Sequence, residues 1–399
     1  MNQRCIVGVD IGSFTIKAFA ATVGSDANIV IKGCGLAPTA GYTKGHIVDT
    51  GVLAGAIKEA LDCLALVVDL PLNAVYLGIG GSALQTNNAV GSVAPAFPNA
   101  VCHEDITRAC RAAVLTSIGD DQEVLHALPA SFLADGRKIA ALPLGQPANR
   151  LDVDVHIVTA PRSLITEIKT ALATKGINIA GVVANSVVGA QSLAPKTSEF
   201  RSLIMDIGAG TVDMALCRQG QVQWSASLPV GGDYITADIM YGLNVTKPHA
   251  EDIKRYYSKL DEGLLGLNII LNCACEPQNL PVPYDFLHTI VECRVEEIVS
   301  IAYNHVNKVL TSDDIEEIYL TGGCAQMPSM ANCIRRIFKK PVKVAQISQL
   351  PAEYAGPTNT VSFGLLQYAA RYAAVTDEPQ ALGWRSMVKR LANYFRPSR

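Results

Sequence analysis

Two stretches of this chain share one pattern of apolar and polar positions. In "VGVDIGSFTIKA" (7–18) and "LIMDIGAGTVDMA" (203–215) an apolar run ends on an aspartate. Glycine and small residues follow, and then a second apolar run begins. Both read D-I-G-x-x-T, aligning Asp10 with Asp206, Gly12 with Gly208 and Thr15 with Thr211. The pattern predicts two buried strand–turn–strand hairpins, with "IKAFAATV" and "VDMALCRQG" as the second strands. In "IEEIYLTGGCAQMPSMANCIRRIF" (315–338) it predicts a strand, a turn at Gly322 and Gly323, and a helix. In "SLPVGGDYITADI" (227–239) Gly231 and Gly232 precede an amphipathic helix, with Asp233 or Thr236 as its cap. "CHEDITRACRAAV" (102–114) reads as a helix capped by His103 or Asp105, with Ile106, Ala109, Cys110 and Ala113 on one face. Near the end, Trp384, Met387, Val388, Leu391, Tyr394 and Phe395 recur at helical spacing behind a polar linker at 375–383.

Composition narrows the class. At roughly 100–200 residues per domain, 399 residues make two to four units. Apolar residues are 49% and charged residues 17%, enough for a large core. A net charge of −3 argues against a general nucleic-acid binder. No apolar run reaches the ~18 residues of a spanning helix. "MNQRCIVGVD" lacks a signal-peptide layout and runs straight into a strand. The eleven cysteines are scattered, without a C-x-x-C pair, and Cys273 and Cys275 form a lone C-x-C. They are expected to be reduced, mostly buried thiols, with zinc a minor alternative.

The hairpin turns suit phosphate. Glycine lets backbone N–H groups approach an anion, and Ser13, Thr15 and Thr211 add hydroxyl donors. Asp10 and Asp206, at strand ends, can hold a metal ion through water or orient a water molecule. The equivalent place in each second strand holds Lys17 in one copy, to touch phosphate oxygen, and Asp213 in the other, to face the metal. Two such hairpins facing each other would clamp a nucleoside triphosphate. One copy alone reads more simply as an ordinary turn; a second matching copy about 200 residues away makes that reading hard to hold. Gly322 and Gly323 would let a base or α-phosphate lie on the backbone at a helix start. Glu251 and Lys254, at i, i+3 in "HAEDIKRYY", read by themselves as a solvated ion pair.

Two phosphate hairpins followed by an L-T-G-G turn resemble the actin, sugar-kinase and chaperone ATPase superfamily. Within it the chain resembles the FtsA family of bacterial actin-like cell-division proteins. The resemblance is carried by "GCGLAPTAGYTKGHIVDT" (33–50), "ANRLDVDVHIVTAP" (148–161), "LPVGGDYITADIMYGLNVTKPHAEDIK", "YLTGGCAQMPSM" and "NTVSFGLLQYA". It departs from the family where Thr15 replaces a usual lysine and Lys17 supplies one two residues on, and where "PLGQPAN" replaces a G-M-x-G motif.

The resemblance implies an α/β, actin-like two-lobed ATPase fold with an inserted α/β subdomain and a C-terminal amphipathic helix. The first lobe would span 1–83, 159–197 and 355–374, with the insert at 84–158. The second lobe would span 198–240 and 312–354, with an outer subdomain at 241–311. It implies ATP with magnesium as cofactors. Asp10, Gly12, Ser13 and Lys17 would form the first phosphate site. Asp206, Gly208, Gly210, Thr211 and Asp213 would form the second. Gly232, Glu251, Lys254, Gly322 and Gly323 would surround the adenosine, with Gly231 counted beside them as cofactor-binding. It further implies self-assembly into filaments, binding of the FtsZ C-terminal peptide, contact with other division proteins, and a place on the cytoplasmic face of the membrane at the division site. Arg294 matches the arginine region that receives the FtsZ tail, where an acidic peptide favours a guanidinium; it reads equally as an i, i+3 partner of Glu297.

The tail fits that picture. Arg385, Lys389, Arg390, Arg396 and Arg399 flank the apolar face with no acidic residue among them, the pattern of a helix lying in a membrane surface. About 1 kcal/mol per basic residue and about 1.5–3 kcal/mol per large buried side chain only narrowly exceed the ordering cost of ~12 residues at about 1–2 kcal/mol each. One tail would bind reversibly and a row of tails firmly. The competing readings are a superfamily small-molecule kinase and a PilM-type pilus-assembly ATPase. A kinase needs a positioned carboxylate base, and "GVVANSVVGAQSLA", where the interlobe helix should lie, offers none. PilM-type proteins usually lack the terminal anchor. With no dedicated base, Asp10 or Asp206 could only orient water, so slow or undetectable turnover is expected.

Overall fold

The computed structural model describes residues 4–24, 28–70, 72, 75–139, 142–193, 201–260, 267–273 and 276–372. The tail residues named above, from Trp384 to Phe395, and the linker before them lie outside the described residues, as does Cys275.

The first lobe opens with a three-strand meander, β1 (Arg4–Ile11), β2 (Thr15–Val23) and β3 (Ile29–Pro38), followed by a small hairpin, β4 (Tyr42–Thr43) and β5 (His46–Ile47). Helix α1 (Thr50–Val67) starts where the Asp49 carboxylate accepts from Val52 N at 2.9 Å. It packs on β3 so closely that a Cβ on Gly35 would stand 2.1 Å from Ala60 O. Strand β6 (Val75–Ile79) then pairs parallel with β1.

The chain next leaves the lobe for a separate antiparallel unit. It comprises β7 (Gln85–Val93), α2 (His103–Ser117), β8 (Gln122–Ala134), β9 (Arg137–Ile139) and β10 (Leu151–Pro161), in sheet order β7-β10-β8-β9. Its own core joins Ile106, Ala109, Cys110 and Ala113 of α2 to Val153, Val155 and Ile157 of β10. The alternation along β10 sends His156 to the opposite face. Helix α2 is capped by Cys102 and by neither expected residue. His103 is the first helical position, and Asp105 reaches back to accept Cys102 N at 2.9 Å and Ala96 N at 3.0 Å.

The first lobe resumes with α3 (Arg162–Ala173), β11 (Ile179–Ala184) and α4 (Asn185–Leu193). The second lobe repeats the plan of the first. A meander, β12 (Arg201–Ile207), β13 (Val212–Arg218) and β14 (Gln221–Leu228), leads to α5 (Gly232–Leu243) and α6 (Lys247–Tyr257). A hairpin, β15 (Asn268–Cys273) and β16 (Glu276–Pro283), and the long α7 (Tyr284–Val306) form the outer part. Strand β17 (Glu317–Thr321), α8 (Pro328–Phe338) and β18 (Val342–Val344) complete the second sheet, and α9 (Thr360–Tyr372) returns to the first lobe. The sheet orders, β3-β2-β1-β6-β11 and β14-β13-β12-β17-β18, are the same arrangement twice. Strands β1 and β12 run almost wholly apolar because helices cover both faces of these central strands.

Of nine cysteines, all free, Cys110, Cys217, Cys324 and Cys333 are buried, four are half-buried and Cys293 is exposed. "Mostly buried" therefore overstated their burial. No cluster of three or more metal-ligating side chains occurs among the described residues. No helix among them is long and apolar enough to cross a membrane.

Candidate functional site

A cleft of about 550 Å³ runs between the two lobes, and the two hairpin turns face each other across it. In the first hairpin Asp10 lies directly opposite Lys17; in the second Asp206 lies directly opposite Asp213. The turns nearly touch: a Cβ on Gly210 would meet Ser13 Oγ at 2.3 Å and Lys44 Cα at 3.0 Å. Glycine at 210 is what lets the two tips come together.

The charges are held by named partners. Lys17 Nζ donates to the backbone carbonyl of Thr358 and to Asn359 Oδ1 at 3.3 Å. Asp10 accepts from Asn185 Nδ2 at 3.2 Å and Ser362 Oγ at 3.5 Å. Asp213 accepts from Thr211 Oγ1 at 3.0 Å, and the Ser227 hydroxyl favours its ionised form. Burial raises the carboxyl of Asp10, an effect that Lys17 opposes and Asp213 reinforces. Burial, with Asp213 and Asp10 nearby, pushes Asp206 up to about 8. Gly322, at φ +89°, is the glycine this trio requires: a Cβ there would stand 2.4 Å from Asp206 Oδ1.

Another wall of the cleft is built on α6. Lys254 Nζ lies 2.7 Å from Glu251 Oε2 and donates to Thr236 Oγ1 at 2.8 Å, while Thr236 donates to Glu251 at 2.8 Å. Burial pulls the Glu251 carboxyl up, but Lys254, Thr236 and Arg255 outweigh it and hold the group below its ordinary range. Arg255 stacks on the Phe14 ring at 5.1 Å, a contact that spans the cleft from the second lobe to the first hairpin.

Asp10, Gly12, Ser13, Thr15, Lys17, Asp206, Gly208, Thr211, Asp213, Glu251, Lys254, Gly322 and Gly323 all line the cleft. Gly210, Gly231 and Gly232 stand behind its surface. Gly232 N donates to Gly208 O at 3.0 Å, and a Cβ on Gly231 would strike Ala209 O at 2.6 Å. These glycines shape the second turn from beneath. Gly231 is the cap of α5, and neither Asp233 nor Thr236 is. Arg294 lies apart, on α7, bound to Asp238 at 2.5 and 2.9 Å and to Glu297 at 2.6 Å. The i, i+3 pairing with Glu297 is thus present, and the bidentate Asp238 contact was not foreseen. Sequence reading also missed Asn185, Ser227, Ser362 and Tyr42, whose hydroxyl donates to Gly80 O at 3.0 Å. An asparagine closing the apolar run "GVVAN" was the one available hint.

The fit to a hydrated cation rests on orphaned atoms. Asp213 Oδ1 and Asn185 Oδ1 are buried and without a hydrogen-bond partner, where buried oxygens are normally satisfied. Two buried carboxylates and a half-buried one that do not converge into a direct ligand cluster suit an ion held through its water shell. Asp10, Asp206 and Asp213 would hold it, Lys17 and the two turns would take the phosphates, and the ion would supply charge neutralisation.

Comparison with known proteins gives this geometry its context. The family model described as "Cell division protein FtsA" matches residues 203–364, and that described as "SHS2 domain inserted in FTSA" matches residues 81–159. The chain belongs to the FtsA family. It is 27% identical over 374 residues to the cell division protein FtsA of Pseudomonas aeruginosa, covering 92% of this chain and 89% of that protein. It is 24% identical over 413 residues to FtsA of Escherichia coli K12, covering 99% and 98%. Among solved structures, a type IV pilus biogenesis complex, PilM–PilN, aligns with TM-score 0.63 at 17% identity, covering 90% of this chain and 97% of that one. MreB5 of Spiroplasma citri bound to AMPPNP aligns with TM-score 0.53 at 13% identity, covering 92% and 96%. At these identities the structural matches speak for the fold: an FtsA-family chain with the actin-like ATPase architecture and the family's inserted domain.

Proposed function

We propose that this protein binds ATP with magnesium in the cleft, assembles with copies of itself, and tethers FtsZ filaments to the cytoplasmic face of the membrane at the division site. The observation that carries the reading is the pair of facing hairpins, with Lys17 on one wall and the carboxylates Asp206 and Asp213 on the other. A lysine suits phosphate oxygens, and carboxylates suit a hydrated cation. MreB5, which shares the fold, is described as bound to a nucleotide analogue. Turnover is slow: Asp10 is already held by Asn185, at the interlobe helix, and by Ser362, rather than standing ready as a base. Arg294 offers an acidic peptide a guanidinium that is only partly exposed and already paired. The basic amphipathic segment from Trp384 to Arg399 serves as the anchor, and other division proteins use the remaining surface.

The test is liposome co-sedimentation with ATP–magnesium, with and without the FtsZ C-terminal peptide, comparing the full chain with a truncation after Gly383. The full chain pellets with anionic vesicles and carries the peptide down; the truncation stays in the supernatant. Equal behaviour of the two would remove the anchor, and turnover of about 1–100 s⁻¹, the ordinary kinase range, would refute the adaptor reading.

A further inference from the structure

Strand β14 is the edge of the second lobe's sheet, and an edge strand leaves a row of backbone groups unpaired. Here the inserted subdomain takes up two carbonyls of that row. Thr86 Oγ1 donates to Ser225 O at 2.8 Å, and Asn88 Nδ2 to Gln223 O at 3.1 Å. Gln223 Nε2 answers by donating to Ala130 O at 3.2 Å. The buried His156 bridges the same junction, with Nδ1 2.8 Å from Asn88 Oδ1 and Nε2 2.8 Å from Ser225 Oγ. At the neck of the insert, Gly81 N donates to Ser227 Oγ at 2.9 Å.

The contacts on β14 fall on residues 223, 225 and 227, the first of them at the bulge where the β13–β14 register shifts. The last of them matters most. Ser227 lies directly opposite Asp213 in the pairing of β14 with β13, and its hydroxyl favours the ionised Asp213 carboxylate. The insert is spliced into the first lobe, yet its hydrogen bonds run along a strand of the second and end one residue from the cleft. It therefore ties the two lobes together outside the cleft, and moving them apart must strain or break this row.

We propose that the inserted subdomain is a working part of the nucleotide site, positioning Asp213 from behind through β14 and Ser227 and thereby setting how fast the cleft opens. This rests on the nucleotide reading above. Thr86, Asn88 and His156 are then positioning residues, although none of them reaches the cleft. Anything that grips the insert, a second copy of this chain included, would act on nucleotide exchange through the same row.

The experiment uses the full chain and two readouts. One is the release rate of a fluorescent ATP analogue with magnesium; the other is amide exchange at 206–213 without nucleotide. The double substitution Thr86→Val with Asn88→Ala should speed release about tenfold and raise exchange at 206–213, while amides of α2 stay as protected as in the parent. Restoring the hydroxyl with Thr86→Ser should recover most of the parent rate. Unchanged release and exchange, with α2 still protected, would overturn the proposal. If α2 loses protection, Gln223→Ala on the second-lobe side decides the matter by the same two readouts. If the analogue fails to bind the parent protein, the nucleotide reading falls, and exchange at 206–213 alone decides this one.

Discussion

Lys17 and Asp213 occupy the same station in two copies of one hairpin, each directly opposite the aspartate that closes the strand before it. One repeat has thus diverged into a positive wall and a negative wall. The cleft between them is polarised, with a lysine on the first hairpin and an aspartate at the same station of the second. The following outcomes depend on that division.

Lys17→Ala should weaken binding of ATP–magnesium by roughly 10- to 100-fold, the range expected when a charge-assisted hydrogen bond worth about 1.5–3 kcal/mol is lost. Thermal stability should change little, because the native partners of Lys17 are a carbonyl and a side-chain amide at a surface turn. Titration calorimetry and a melting curve on one preparation separate the two effects.

Asp206 makes the ligand-free protein sensitive to alkali. In the unfolded chain its carboxyl ionises near 3.8, and in the fold near 8. Between those values the folded state keeps a proton that the unfolded state has released. The stability contribution is therefore complete below the lower value and is lost as pH rises through the higher one. Tm should fall from pH 5 to pH 9, and Asp206→Asn should flatten that slope while abolishing magnesium-dependent nucleotide binding. A parent protein whose Tm rises over this interval would contradict the assignment. Because a cation favours the ionised carboxylate, binding at pH 7 should also release close to one proton, read from calorimetry in two buffers of different ionisation heat.

Gly91 and Gly55 should respond in opposite directions to alanine. A Cβ on Gly91 would lie 1.8 Å from Ala109 O, driving β7 off α2, and overpacking of this kind costs about 1–3 kcal/mol or more. Gly55 lies inside α1 with nothing within 4 Å, where alanine gains about 0.5–1 kcal/mol. Urea midpoints of the two variants against the parent test both signs.

Arg294 can take a peptide carboxylate only by sharing its existing partners. Arg294→Ala should abolish binding of the FtsZ peptide, and Glu297→Gln, which frees Nη1 of a competing charge, should tighten it a few-fold. Fluorescence anisotropy with a labelled peptide reads both. Equal affinity across parent and variants would place the peptide elsewhere.

What the sequence disclosed was whatever repeats or follows a period. The two D-I-G-x-x-T turns, the Gly322–Gly323 turn and the face of α2 were visible because each imposes a pattern on its neighbours. Asn185 and Ser227 were invisible because their roles arise from pairings across 175 residues to Asp10 and across the β13–β14 ladder to Asp213. The α2 cap was misplaced by one residue because a cysteine is an unusual cap, and Asp105, a better one on composition, serves from inside the helix. Gly231 and Gly232 read as ligand contacts, but their requirement for glycine comes from packing against the second turn.

The first lobe joins the two extremes of the described chain. Ile6 and Phe19 share one buried cluster with Val361, Leu365 and Ala369, and a Cβ on Gly8 would sit 3.0 Å from Leu365 Cβ. During synthesis β1 emerges first and must wait for α9, more than 340 residues later, before one side of its sheet is covered. The inserted subdomain needs nothing beyond Pro161 to complete its own core, so it can fold on the ribosome while the lobe that bears it is still open. The newborn chain would then present a finished insert and an exposed apolar sheet face together, which makes β1 and β2 the segment a chaperone has most reason to hold.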